Sequence, residues 1–250
     1  MSKDTASALA KTGETGFSIV DAPDAHEVML GAFDQLGISN FQLNRIKVPA
    51  GGGTAWELES LEGQTVHPHL DCIILTIKGK QKAWWSTTME EGGGGGPPSC
   101  RSEDGRTGIG VNTLEGDGVP EQHLCGECPW NQFGSARNGG NGKDCSDFSL
   151  LFVFLEGSRL PTLLTVPATS LRVLQNYVIK LIDANKRAEG VVTRLGLKKA
   201  QSKSGITYSV LDLSWQRDLD EEGTAKMHQI SQQFRERISQ FDAFSPNGDE

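Results

Sequence analysis

The chain has 250 residues, enough for one large domain or two small ones, with 36% hydrophobic residues and 30 glycines around what core they form. No run approaches the roughly 20 apolar residues needed to cross a membrane, and the polar start from Met1 to Thr15 lacks a secretory hydrophobic core. A net charge of -8 argues against a uniformly adhesive nucleic-acid surface, and a cytoplasmic location, the expectation here, keeps the five cysteines reduced and favours metal or core roles over disulfides.

In chain order, residues 1–15 read as a disordered leader. Asp24 and Glu27 have capping-box spacing ahead of Val28, Met29, Leu30, Phe33 and Leu36, which predicts a short amphipathic helix. Phe41 to Val48 and Thr54 to Ser60 read as strands separated by a turn at Gly51–Gly53. Leu70 to Ile77 is an unbroken apolar run of strand length, expected to be buried on both faces, with Cys72 inside it as a small apolar residue. Gly79 is expected to turn the chain into a further strand, Lys80–Ser86, and Gly92 to Pro98 breaks regular structure. From there to Cys145, apolar periodicity vanishes under Gly, Asn and Cys. Strands then return at Phe148–Leu155, Leu160–Val166, Gly190–Leu197 and Ile206–Leu213. Between them Ser170 is placed to cap a helix with the stripe Leu171, Leu174, Tyr177, Val178, Leu181 and Ile182. A last helix carries Met227, Ile230, Phe234, Ile238 and Phe241. The expected architecture is therefore mostly β, a discontinuous core over 16–99 and 146–215. An insertion at 100–145, a C-terminal helix at 216–240 and an acidic tail at 241–250 complete it.

Four of the five cysteines fall in the insertion. Cys125-Gly-Glu-Cys128 is the two-residue spacer that lets two thiolates of one turn face a single ion, and Cys145 follows after 16 residues. Cys100 stands alone, 24 residues before Cys125. Four sulfurs on a tetrahedral zinc would replace the core this Gly-rich stretch lacks. Unliganded thiols, or His123 in place of Cys100, are the alternatives. Four cysteines leave no open position on the ion, so the metal expected is structural rather than catalytic. No nucleophile elbow, phosphate-cradling loop or deaminase signature is present, and His67-Pro68-His69 reads as a solvated turn, so nothing favours an enzyme.

Lys80, Lys82 and Trp84 share strand parity and project from one face, with Arg45 and Lys47 supplying similar charge on an earlier strand. Cations that follow phosphates and aromatic faces that stack on bases are what hold single-stranded nucleic acid. Trp56, Trp84, Trp85, Trp130 and Phe133 are the available platforms, Trp56 and Trp85 being read as core residues and Trp84 as the stacking ring. Arg101, Arg137 and Lys143 in the insertion, and Lys198, Lys199 and Lys203 near a later turn, are further candidate phosphate contacts.

The motifs Pro97-Pro98-Ser99-Cys100, Cys125-Gly-Glu-Cys128-Pro129, Phe133-Gly134-Ser135, Gly142-Lys143-Asp144-Cys145 and Pro167-Ala168-Thr169-Ser170-Leu171 resemble those of a group of uncharacterised bacteriophage proteins, over roughly Ile46 to Leu213. In architecture the chain also resembles phage helix-destabilising proteins, which have an OB fold with an inserted zinc lobe. That resemblance implies an OB-like barrel of about six or seven strands and single-stranded DNA as the ligand, with a role in phage replication or recombination inside the host cytoplasm. It also implies that the tail, through Asp242, Phe244, Asp249 and Glu250, contacts replication or recombination proteins. A zinc-stabilised adaptor that binds a phage or host replication or transcription factor is the alternative from a different class.

Overall fold

The computed structural model describes residues 43–61, 63–86, 98–111, 120–137, 139–158, 160–202 and 205–238. The expected leader, the helix after Asp24, the Gly92–Gly96 run, Lys203 and the acidic tail lie outside them.

The chain opens with β1 (Arg45–Lys47), then a separate two-stranded hairpin of β2 (Trp56–Ser60) and β3 (Gly63–His67). The 16-residue strand β4 (His69–Trp84) follows. Three short strands, β5 (Cys100–Ser102), β6 (Thr107–Val111) and β7 (Pro120–Leu124), form an antiparallel meander. Next come β8 (Ser146–Leu155), β9 (Thr162–Pro167), helix α1 (Ala168–Asp183), β10 (Val191–Gln201), β11 (Thr207–Asp218) and helix α2 (Glu221–Ile238).

Nine strands form one mixed sheet in the order β1-β9-β8-β4-β5-β6-β7, with the β10–β11 hairpin joined to β4 off that path. All its pairings are antiparallel except β1 with β9. The long β4 explains the branch. One edge pairs with β8 from Cys72 to Ala83, while the other takes β10 at its start and β5 at its end. The sheet stays open, with β1, β7 and β11 each bonded along one edge, so the expected closed OB-like barrel is not formed.

Alternation along the strands explains the layering. Cys72, Ile74, Leu151, Val153, Leu155, Leu164 and Val166 point to one face and pack with Leu171, Leu174, Tyr177 and Leu181 of α1. Ile73, Leu75, Leu150, Phe152 and Leu163 point to the other and meet Met227, Ile230 and Phe234 of α2. The Leu70–Ile77 run is buried on both faces because a helix covers each one. Trp56 is also in the core, and its indole N–H donates to the Leu195 carbonyl at 2.9 Å.

Two local expectations are corrected. Gly79 does not turn the chain: β4 runs through it, and the irregularity is absorbed as a shift in its register with β8 between Lys78 and Gln81. Ser170 does not cap α1, which starts two residues earlier; its buried hydroxyl instead accepts the Leu211 N–H at 3.0 Å and ties α1 to β11. No helix among the described residues is long and apolar enough to cross a membrane.

Candidate metal centre and the groove beside it

The described residues between Ser99 and Cys145 fold back onto the C-terminal end of β4 as a lobe with little apolar interior of its own. Polar contacts give it shape. Asp104 accepts the backbone N–H groups of Arg106 and Thr107, and the Asn131 side chain donates to the Cys125 carbonyl at 2.6 Å. The Cys145 N–H donates to the Trp130 carbonyl at 2.9 Å, and the Ser135 hydroxyl bridges from Trp130 to the Asp144 N–H.

Three different pieces of chain place the four sulfurs. Cys100 starts β5 opposite Trp84, Cys125 and Cys128 bracket the turn after β7, and Cys145 immediately precedes β8. All four, with His123, line one cavity of about 200 Å³. Cys100 Sγ lies 3.3 Å from His123 Nε2. Gly108 on β6 makes that approach possible, since a Cβ there would come within 2.9 Å of the imidazole and 3.1 Å of the Cys100 sulfur. Burial, reinforced by the charges of Cys125 and Cys128, pushes the Cys100 thiol up to about 11. Burial likewise lifts Cys145 to about 12, with Lys82 pulling the other way. In donor chemistry the residues fit a soft divalent ion such as zinc. No three His, Cys, Asp or Glu side chains are gathered into a closed ligand cluster among the described residues; the donors ring the cavity. Cys72 lies outside it, buried in the sheet, where desolvation raises its pKa.

The candidate nucleic-acid residues divide sharply. Lys80 and Lys82 do share a face, since both reach Asp147, Lys80 at 3.0 Å, and Lys143 joins them at 3.7 Å. Burial would raise the Asp147 pKa, yet the hydrogen bonds and charges of Lys82 and Lys80 outweigh it and hold the carboxyl below its ordinary value. The lobe covers that face at Lys82 and Trp84, while the Lys80 side chain stays 45% exposed. Lys82 and Trp84, expected to meet a bound strand, are each 4% exposed and sit on the wall of the sulfur cavity. Trp84 stacks on Trp130 with centroids 5.1 Å apart and donates its indole N–H to Asp144 at 2.6 Å. Arg137 also donates to Asp144, lies 5.5 Å from the Trp84 ring and holds the Trp85 and Ser86 carbonyls. These residues build the lobe.

Trp85, expected in the core, is instead 40% exposed, and Phe133 is 82% exposed. Both border a groove of about 720 Å³ floored by Phe148, Leu150 and Leu163, with Arg45 and Lys143 on its walls. Lys143 Nζ lies 5.1 Å from the Phe133 ring. Desolvation lowers the Arg45 pKa from its ordinary value. Cys145 lines both the groove and the sulfur cavity, so the two share a wall. Lys47 is on β1 beside a different hollow, and Arg101 is on β5. Lys198 pairs with Asp212 at 2.7 Å on the β10–β11 hairpin, which also carries Lys199. Neither lysine lines the groove. The tail residues Asp242, Phe244, Asp249 and Glu250 lie outside the described residues.

Comparison with protein families, curated proteins and solved structures finds no match for this chain.

Proposed function

We propose that the chain is a sequence-tolerant single-stranded DNA-binding protein whose lobe is stapled by a structural zinc ion held on Cys100, Cys125, Cys128 and Cys145. The observation that carries the DNA reading is the groove, where two exposed rings, Trp85 and Phe133, stand against the cations Arg45 and Lys143. Bases stack on such rings whatever their identity, and the cations neutralise phosphates. Asp147, which also lines the groove, is offset by three lysines. Bound zinc would cross-link β5, the turn after β7 and the start of β8, and with four thiolates it would leave no site for substrate. Through their shared wall, the same cross-link would hold Lys143 and Phe133 in place. Under the same proposal the chain acts in phage DNA replication or recombination, the role that the architectural resemblance to helix-destabilising proteins implies.

The test is binding of a short fluorescent oligothymidine at low salt, with tryptophan fluorescence as the second readout. The expected result is quenching and an affinity that falls steeply as salt rises. No binding at micromolar protein in low salt contradicts the reading.

A zinc-stabilised adaptor is the second reading, favoured by one observation: Ile179 and Ile182 are exposed on α1 and Trp215 is exposed on β11. Under it, oligonucleotide affinity is absent and Ile182→Asp removes a partner retained after nuclease treatment.

A further inference from the structure

A lysine that is 4% exposed needs a reason, since desolvating an ammonium costs several kcal/mol unless nearby charge and hydrogen bonds compensate. Lys82 has two visible partners, the Asp147 carboxylate and the Asn131 side-chain oxygen at 2.8 Å. Neither balances the cluster. Lys80, Lys82 and Lys143 all converge on Asp147, and even with the 45% exposed Lys80 discounted for screening, the two covered lysines outnumber the one carboxylate. The other nearby carboxylate, Asp144, is taken by Arg137 at 2.7 Å. Lys82 lies on the wall of the sulfur cavity, and Asn131, its hydrogen-bond partner, also holds the Cys125 carbonyl.

Resting on the zinc reading above, we infer that this lysine cluster is the built-in counter-charge of a tetrathiolate metal site, and that His123 is a hydrogen-bond donor to Cys100 rather than a ligand. A divalent ion on four thiolates carries a net charge of two minus four, or about -2, which the excess positive charge of the cluster offsets in part. Glu127 also lines the cavity, but it is exposed and screened by water. Cys100 Sγ lies 3.3 Å from His123 Nε2, within reach of an N–H donated to sulfur by the tautomer protonated on Nε2. Such outer contacts orient a ligand and temper its charge, and their loss commonly weakens metal binding by roughly 10–100-fold. Lys82 is therefore a positioning and charge-compensating residue for the metal.

The test loads the full chain with Co(II) and follows zinc affinity by chelator competition. Wild-type protein is expected to bind one equivalent with the absorption of a four-sulfur tetrahedral site, and His123→Ala to keep that spectrum. Lys82→Met is expected to weaken zinc binding by about 10–100-fold, with Lys82→Arg restoring most of it. A three-sulfur, one-nitrogen spectrum that changes in His123→Ala overturns the inference, as does Lys82→Met binding zinc as tightly as wild type. Should Lys82→Met not fold, the wild-type and His123→Ala spectra with the affinity of Lys82→Arg decide: a four-sulfur signature and a near-native affinity support it, and either one failing overturns it. Wild-type protein that binds no metal defeats the zinc reading itself, an outcome distinct from both.

Discussion

The layered sheet and the lobe are held by opposite means. In the first, β4, β8 and β9 bury aliphatic side chains on both faces beneath α1 and α2, and polar contacts such as the Ser231 hydroxyl donating to the Leu75 carbonyl at 2.6 Å add ties between elements. In the second, strands of three to five residues carry almost no buried aliphatics. Ion pairs, backbone hydrogen bonds and one tryptophan stack take their place, around a cavity that four cysteines line. A region that cannot bury enough apolar surface needs another cross-link, and this lobe offers donors for one. The two regions should therefore fail independently and to different perturbations.

The largest effect is expected from the metal donors. Cys128→Ser, or a strong chelator, should collapse the lobe and release the Trp84–Trp130 stack, seen as loss of near-UV dichroism, while far-UV dichroism keeps the signal of the layers. Concerted unfolding of both regions would break the comparison. The converse is Phe152→Ala, which removes a buried ring packed edge-on against Phe234 at 5.3 Å. It should cost about 3–5 kcal/mol of global stability in a denaturant titration, and leave metal stoichiometry unchanged in whatever fraction remains folded. Phe133→Ala comes next. It should lower oligonucleotide affinity by about 1–3 kcal/mol without moving the melting temperature, because the ring is exposed. Smallest is the pH response of the layers. Arg194 donates two hydrogen bonds to Asp71, both at 2.7 Å, and these hold the carboxyl below its ordinary pKa. A carboxylate with a depressed folded pKa contributes its full stability above the ordinary carboxylate range and loses it as pH falls through the folded value. Arg194→Met should therefore flatten the acid limb of the stability profile slightly, the pair being partly exposed.

What the sequence made legible follows the same division. The unbroken apolar run Leu70–Ile77 announced a strand buried on both sides, Phe148–Leu155 announced a strand, and of the stripe Leu171, Leu174, Tyr177, Val178, Leu181 and Ile182 all but the exposed Ile182 follow the buried face of α1. The mostly β character followed from these runs. The open sheet did not, since closure depends on which edges of β4 find partners. In the lobe no period exists to be read: Cys-Arg-Ser, Thr-Gly-Ile-Gly-Val and Pro-Glu-Gln-His-Leu become strands through pairing with one another and with β4. The parity of Lys80 and Lys82 was correct, but which face of β4 stays open depends on a segment that returns to it from beyond Ser99. That return buries Trp84 and leaves Trp85 outside, and no pattern within the strand distinguishes the two.

The account turns on one ion joining four sulfurs in a lobe that burial alone does not hold. Metal analysis of the natively purified chain, combined with counting of thiols released on titration with a mercurial, tests it most directly. The account predicts one zinc per chain, freed only as four cysteines are modified, while Cys72 stays protected in the sheet. Purified protein that carries no metal, takes up none when zinc is supplied and keeps the Trp84–Trp130 stack would contradict it.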